Sequence, residues 1–356
     1  MMLPLMPAFL NVAALAARRR CPSSNRFKQY LSSARMALTS GTNGEENGNQ
    51  HRFNEMEHRN WEQGYEAYDQ GFGPLTRQTI PTLLSNADFP PTAGGSDEDG
   101  TIRLLDVATG PGFVLSTAID VIQSTDDDNK PLYNLTGLDI TQNFLTLASQ
   151  RIDAQIIQPQ QKQQSSHQIN VDFVEGSAES LPFSENTFDS IVCNFGILHF
   201  FNPSLFLRES YRVLRPGGKV SFSAWAPPTR TEGFNIALGS ITEAGNPNVE
   251  GLPEGPNFFD YGDSEQAMAV LREIGFQNAK STELSEMKWN NVNNGAVLYD
   301  VLLNGTSRTR EVLLGQTTEE ANAIQSLMAE KYNSVTDCGK RPLFMPALVT
   351  SGQKPL

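Results

Sequence analysis

The chain has 356 residues, 38% of them apolar, with 40 acidic side chains against 27 basic ones and a formal net charge of −13. That length suits one large α/β domain with insertions or two small domains, and no run of about 18 apolar residues exists to cross a bilayer. Residues 1–44 hold no acid but carry Arg18, Arg19, Arg20, Arg26, Lys28 and Arg35, which leaves 21 basic against 40 acidic residues, a net of −19, for the remainder; a body that acidic argues against a nucleic-acid partner and against an anionic lipid surface.

The acid-free, Arg- and Ser-rich start has the composition of an organelle transit peptide, plastid or mitochondrial, with the cytoplasm as the alternative. Its apolar stretch Leu3–Ala17 precedes the Arg18–Arg20 cluster, the reverse of a secretory signal. Gly41–Gln50 is polar, rich in Gly and Asn, and reads as a linker. Residues 1–50 are therefore expected to be leader and linker, and 51–356 the folded domain.

Apolar spacing predicts a helix over His51–Asp69, with Phe53, Met56, Trp61, Tyr65 and Tyr68 as its large side chains, and a second short helix over Leu75–Leu84. Pro90–Gly100 is a loop. Strand and helix patterns then alternate: strands Ile102–Ala108, Asn134–Ile140, Asn170–Glu175, Phe188–Asn194 and Lys219–Trp225; helices Phe113–Gln123, Gln142–Ile157 and Leu205–Leu214. Pro159–Ser166 is a low-complexity polar loop. Such alternation implies a parallel sheet with right-handed crossovers. Ala226–Gly262 is an irregular insert with one helix near Phe234–Ala244. Ser264–Ile274 is helical and stops at Gly275. Phe276–Leu284 is a sixth strand, Gly295–Tyr332 mainly helix, and Leu343–Ser351 the last strand.

The chemistry concentrates at Leu104–Gly112, a buried strand that runs into a Gly-rich turn beneath a helix. Gly110 and Gly112 let the backbone turn sharply and a ligand lie against it, at the carboxyl edge where open α/β sheets bind ligands. A dinucleotide fingerprint would place Gly or Ala three residues after Gly112, where this chain has Leu115. Asp106, at the strand end, can accept from turn amides or face an ammonium group through water. Asp139 ends the second strand, where a carboxylate can accept both hydroxyls of a ribose, and Ile140 would lie against an adenine face. The loop Gly176–Phe183 reaches the same edge, and the fourth strand ends beside it at Asn194. Cys193 reads as a small buried residue; Cys21, Cys193 and Cys338 show no metal-ligand spacing.

The series LLDVATGPG, GLDIT, EGSAESLPF, FDSIVCNFGILHF and LRPGGKVSFSAW resembles, in that order, the class I methyltransferases, and among them the type-11 family that includes the ubiquinone and menaquinone C-methyltransferases. The resemblance covers residues 101–225 strongly. It implies a Rossmann-like, doubly wound α/β sheet of seven strands with the last antiparallel, helices on both faces and a helical lid or insert at 226–262. It also implies S-adenosylmethionine as cofactor. On that pattern Asp106, Ala108, Gly110 and Gly112 would shape the methionine pocket, Asp139 would hold the ribose, Ala178 and Glu179 would border the adenine, and Asn194 would line the cleft by its backbone. Two positions depart from the pattern. Ala108 stands where the first glycine is usual, which is tolerable if its φ is negative. Ser177 replaces the usual acid, so its Oγ or the Ala178 backbone would take the adenine amino contact.

Methyl transfer from a sulfonium is mostly alignment, with no metal needed and a base only if the acceptor must lose a proton. His199 is the best-placed base; the plainer role is a packing histidine. Trp61, Tyr65 and Tyr68 could form a lid, and Phe258, Phe259 and Tyr261 an acceptor pocket. The insert has only Arg230 as a basic residue and His51–Asp69 only Arg52 and Arg59, so a small, neutral or singly charged acceptor is expected. A nicotinamide-dependent reductase and a catalytically silent binding or assembly protein are the competing readings.

Overall fold

In a computed structural model, residues 43–91, 100–125, 131–157 and 168–356 are described. The leader with Cys21, most of the Pro90–Gly100 loop and the Pro159–Ser166 loop lie outside them. Gly48–Leu356 forms one compact unit, and the contacts that follow all lie within it.

Helix α1 (Asn43–Gly71) opens the described chain. It begins ahead of the expected His51 and takes in most of the segment read as linker. Tertiary hydrogen bonds compensate for weak local propensity there: the Asn49 side chain donates to the Glu254 carbonyl at 2.8 Å and accepts from its N–H at 3.1 Å. Two short turns lead into α2 (Ile80–Asn86). Then come β1 (Ile102–Val107), α3 (Phe113–Ser124), β2 (Leu132–Asp139), α4 (Gln142–Ile157), β3 (Gln168–Glu175), β4 (Phe188–Asn194), α5 (Pro203–Val213) and β5 (Leu214–Trp225). The insert carries α6 (Glu232–Ala244). It is followed by α7 (Ser264–Ile274), β6 (Gln277–Leu284), β7 (Lys288–Trp289), α8 (Gly295–Asn304), α9 (Arg308–Leu314), α10 (Thr318–Thr336), β8 (Leu343–Phe344) and β9 (Ala347–Gln353). Helix α7 closes at Gly275 with φ +115°, as expected, and the structure adds an N-cap, Asp263, which accepts from the Gln266 N–H at 2.9 Å.

The main sheet has seven strands in the order β3-β2-β1-β4-β5-β9-β6. The first five are parallel, and β9 runs antiparallel between β5 and β6. The chain steps outward from β1 to β3 and returns to β4, so β1 and β4 flank the topological switch point where such sheets bind ligands. Successive residues of the central strands serve opposite faces. Leu105, Ile191 and Cys193 join one core cluster; Leu104 and Val192 join the other, with α3 and α2. This two-sided burial explains their near-continuous apolar runs.

Two strand boundaries differ from expectation. β5 starts at Leu214 rather than Lys219, with Gly217 at φ +83° and a register shift opposite Phe188–Ser190. The single strand expected over Leu343–Ser351 is two, broken around Pro346, which has no N–H for a ladder; its carbonyl accepts from Ala226 at 3.0 Å. No described helix is long and apolar enough to cross a membrane.

Candidate active site

The turn after β1 is fixed from beneath. Thr109 N–H donates to the Leu138 carbonyl at 2.9 Å, and Gly112 N–H to Thr109 at 3.0 Å. Gly110 and Gly112 both have positive φ, +51° and +78°. At Gly110 an added Cβ would meet nothing within 4 Å, so the backbone there faces open space; at Gly112 it would come within 2.9 Å of the Ala148 methyl of α4. Gly112 thus serves helix packing, Gly110 the cleft. Leu115 is fully buried and packs toward Gly137 of β2. Ala108 has φ +55°, not the negative value expected, so this L-residue sits in the left-handed region. Its methyl lies over Gly196, where an added Cβ would be 2.5 Å from it.

Asp106 is fully buried. Its Oδ2 accepts from Thr109 Oγ1 at 2.6 Å, and its Oδ1 has no hydrogen-bond partner. Burial, with help from the Asp139 charge, pushes its carboxyl up to about 7. Asp139 is also buried and raised by burial. Its Oδ2 accepts from Gly110 N–H at 2.9 Å, and its Oδ1 from Thr141 N–H at 3.1 Å and Thr141 Oγ1 at 2.8 Å. Those three donors leave Asp139 room for about one more on Oδ2, fewer than the two hydroxyls expected from the sequence.

The remaining edge loops are held by side chains. Ser177 Oγ accepts from Glu179 N–H at 3.2 Å. Glu179 Oε1 accepts from Asn202 N–H at 2.9 Å, so this acid ties two loops together. Asn194 uses its side chain: Oδ1 accepts from Thr79 Oγ1 at 2.6 Å and Ser223 Oγ at 2.7 Å, and Nδ2 donates to the Thr76 carbonyl at 3.1 Å. Cys193 is buried below, its thiol pushed up by burial.

A cavity of about 640 Å³ lies over these loops. Ala108, Gly110, Asp139, Ile140, Ser177, Ala178, Glu179, Asn194 and His199 all line it; Asp106 and Gly112 sit behind the wall. Trp61 and Tyr68 of α1 and Phe258 and Phe259 of the insert complete its cover. Two expected cover residues stand elsewhere. Tyr65 packs edge-on to Phe144 and donates to Glu66. Tyr261 is buried edge-on to Phe222. Tyr261 is consumed by core packing, while Tyr65 stays partly exposed on the outer side of α1.

The sequence reading missed Glu57 and Arg308. Glu57 is 2% exposed. Its Oε2 accepts from Trp61 Nε1 at 2.9 Å and lies 3.1 Å from His199 Nδ1; its Oε1 accepts from Arg308 Nε at 3.3 Å. Arg308 also donates to the carbonyls of Pro256 and Leu198, at 2.6 and 3.0 Å. Burial alone would raise the Glu57 carboxyl; His199 and Arg308 reverse this and hold it below the usual carboxylate range. A lone acid midway between Phe53 and Trp61 on an aromatic helix face was the available signal. Arg308 gave none, because its partners are remote in sequence.

The edge suits S-adenosylmethionine by its own chemistry: an orphaned buried carboxylate oxygen on Asp106 beside a second buried carboxylate, behind a turn with open space at Gly110. Such a site favours a cation with hydroxyls over a pyrophosphate. Asp106, Ala108 and Gly110 would hold the amino-acid end and Asp139 the ribose; the sulfonium supplies an electrophilic methyl.

Residues 105–222 match the family model of a methyltransferase domain (Methyltransf_11). The chain is 28% identical over 193 residues to the ubiquinone/menaquinone biosynthesis C-methyltransferase of Roseobacter denitrificans, covering 51% of this chain and 69% of that protein. It is 26% identical over 201 residues to the mitochondrial 2-methoxy-6-polyprenyl-1,4-benzoquinol methylase of Caenorhabditis elegans, covering 54% and 64%. A third relative, the C-methyltransferase of Geotalea daltonii, is 32% identical over 126 residues, covering 35% and 46%. The chain thus spans from under half to about two thirds of these curated relatives. Among solved structures, a putative methyltransferase from Bacillus halodurans aligns with a TM-score of 0.44 at 19% identity, over 78% of this chain and 100% of that one. By the family match, strand order and motif residues, residues 105–222 form a class I, S-adenosylmethionine-dependent methyltransferase domain of type 11.

Proposed function

We propose that the chain methylates a small, largely apolar acceptor of the phenol or hydroquinone class. The observation that carries this reading is the charge of the chamber. Among its described lining residues Arg308 is the one Lys or Arg, and its guanidinium is already paired with Glu57. Around it stand Trp61, Phe72, Phe144, Phe234, Phe258 and Phe259. Aromatic walls favour a flat ring, the lining carboxylates Glu55, Glu57, Asp139 and Glu179 disfavour an anionic acceptor, and the curated relatives are named for ubiquinone, menaquinone or benzoquinol methylation. The test is to incubate the full chain with methyl-labelled S-adenosylmethionine and a panel of hydroquinones, phenols, amines and carboxylates. Label should pass to the hydroquinones or phenols. Label passing only to amines or carboxylates would refute the acceptor class.

The 1–44 segment is read as an organelle leader, in line with the word mitochondrial in the name of the Caenorhabditis elegans relative. A fluorescent fusion of residues 1–50 should enter a mitochondrion or plastid; a cytosolic signal would contradict it.

A further inference from the structure

The Glu57–His199 contact joins residues 142 positions apart. Every group that bonds Glu57 must donate to it: Trp61 and Arg308 have no acceptor to offer, the Ser307 hydroxyl also donates and helps lower its pKa, and the carboxylate can only accept. A neutral His199 must therefore carry its proton on Nδ1, facing Glu57, and keep its lone pair on Nε2. The groups around His199 are Glu57 and Trp61 from α1, Phe258 from the insert at 5.5 Å between ring centroids, and Arg308, which donates to the neighbouring Leu198 carbonyl. His199 itself lines the cavity.

We propose that Glu57 is a positioning residue that makes His199 Nε2 the proton acceptor for the bound methyl acceptor, with Arg308 fixing Glu57 from the far side. This rests on the phenol or hydroquinone reading above. The acceptor's O–H proton passes to Nε2, and the O–H electron pair stays on the acceptor oxygen. The imidazolium that forms is met by the Glu57 carboxylate, whose ionised form His199 and Arg308 already favour. The Arg308–Glu57 pair is neutral overall, so the new charge is not added to an existing excess. The base is assembled from α1, the loop after β4 and the start of α9, so it is complete only with the cover in place.

The test uses the full chain with nitrogen-15 histidine, which has four histidines, His199 assigned by its loss in His199→Gln. The wild type should show the Nδ1–H tautomer at His199. In Glu57→Gln the amide oxygen should stay with the Arg308 cation and turn its NH₂ toward His199, moving the proton to Nε2. With a prenylated hydroquinone as acceptor, His199→Gln should lower kcat by roughly 10²–10⁴-fold and abolish the acidic limb of the pH–rate profile, with S-adenosylmethionine affinity unchanged. In His199→Gly, imidazole in the medium should restore part of the rate, so a folded but inactive variant still reports on the role. A wild-type Nε2–H tautomer, or an unchanged pH profile in His199→Gln, overturns the proposal while leaving the acceptor class standing. The expected tautomer with no label transfer to any hydroquinone or phenol overturns the acceptor class, and the catalytic role with it.

Discussion

The two walls of the cavity are built by different means. The wall at the sheet edge is backbone: a left-handed turn at Ala108–Gly112, two buried carboxylates, and glycines where a side chain would collide. The opposite wall is side chains from α1, the insert and α9, joined by the Glu57 pairs and by ring contacts such as Trp61 on His199, 4.8 Å between centroids. A backbone wall binds one cofactor shape and tolerates little change. A side-chain wall can be re-lined without disturbing the sheet, which is where acceptor choice belongs.

That contrast predicts where mutations hurt most. Arg308→Ala strands the buried Glu57 carboxylate, and breaking one side of a buried pair should cost about 3–5 kcal/mol of stability. Chemical denaturation would show it, and a loss under about 1 kcal/mol would mean Glu57 is better solvated than its burial indicates. On the backbone wall, Asp139→Ala removes the carboxylate proposed to accept from the ribose and the anchor of the Gly110 amide. A loss of about 1.5–3 kcal/mol in S-adenosylmethionine affinity is expected for charge-assisted hydrogen bonds, and wild-type-like calorimetry would move the ribose elsewhere. Smallest and opposite in sign is Ala108→Gly. Relief of the left-handed backbone, roughly 1–2 kcal/mol, is partly offset by about 0.5–1 kcal/mol of glycine flexibility. The net should be a modest rise in melting temperature; a clear fall would show that the methyl's packing over Gly196 outweighs its φ.

The same division decides what could be read from the sequence. The turn, the strand-ending Asp139 and the Gly275 stop of α7 are local: LLDVATGPG and GLDIT suffice to locate the first two, and a glycine after a periodic run locates the third. The parallel strands followed from strand and helix alternation, and the seven-stranded sheet with its last strand antiparallel from the family resemblance. The acceptor wall depends on pairs 142 and 251 positions apart, for which spacing gives no guidance. Tyr65 and Tyr261 illustrate the limit: aromatic and well placed in sequence, neither lines the cavity, Tyr65 lying partly exposed against Phe144 and Tyr261 packing into the core against Phe222. The early start of α1 was hidden for the same reason, since Asn49 is helical through its bond to Glu254.

The claim at the centre is that buried Asp106 and Asp139 make this edge a site for a cationic sulfonium ligand. With its carboxyl pushed up to about 7, well above the ordinary 3.8, Asp106 holds a proton in the free protein below that pH. A bound ammonium or sulfonium favours the ionised form, so binding must release the proton. Calorimetric titration of the full chain with S-adenosylmethionine, repeated in buffers of different ionisation enthalpy, reads both quantities. The account predicts one-to-one binding that tightens by up to about tenfold per pH unit from about pH 5 to 7 and levels off above, with close to one proton released at the acidic end. Affinity that is flat across that range, with no proton released, would contradict it.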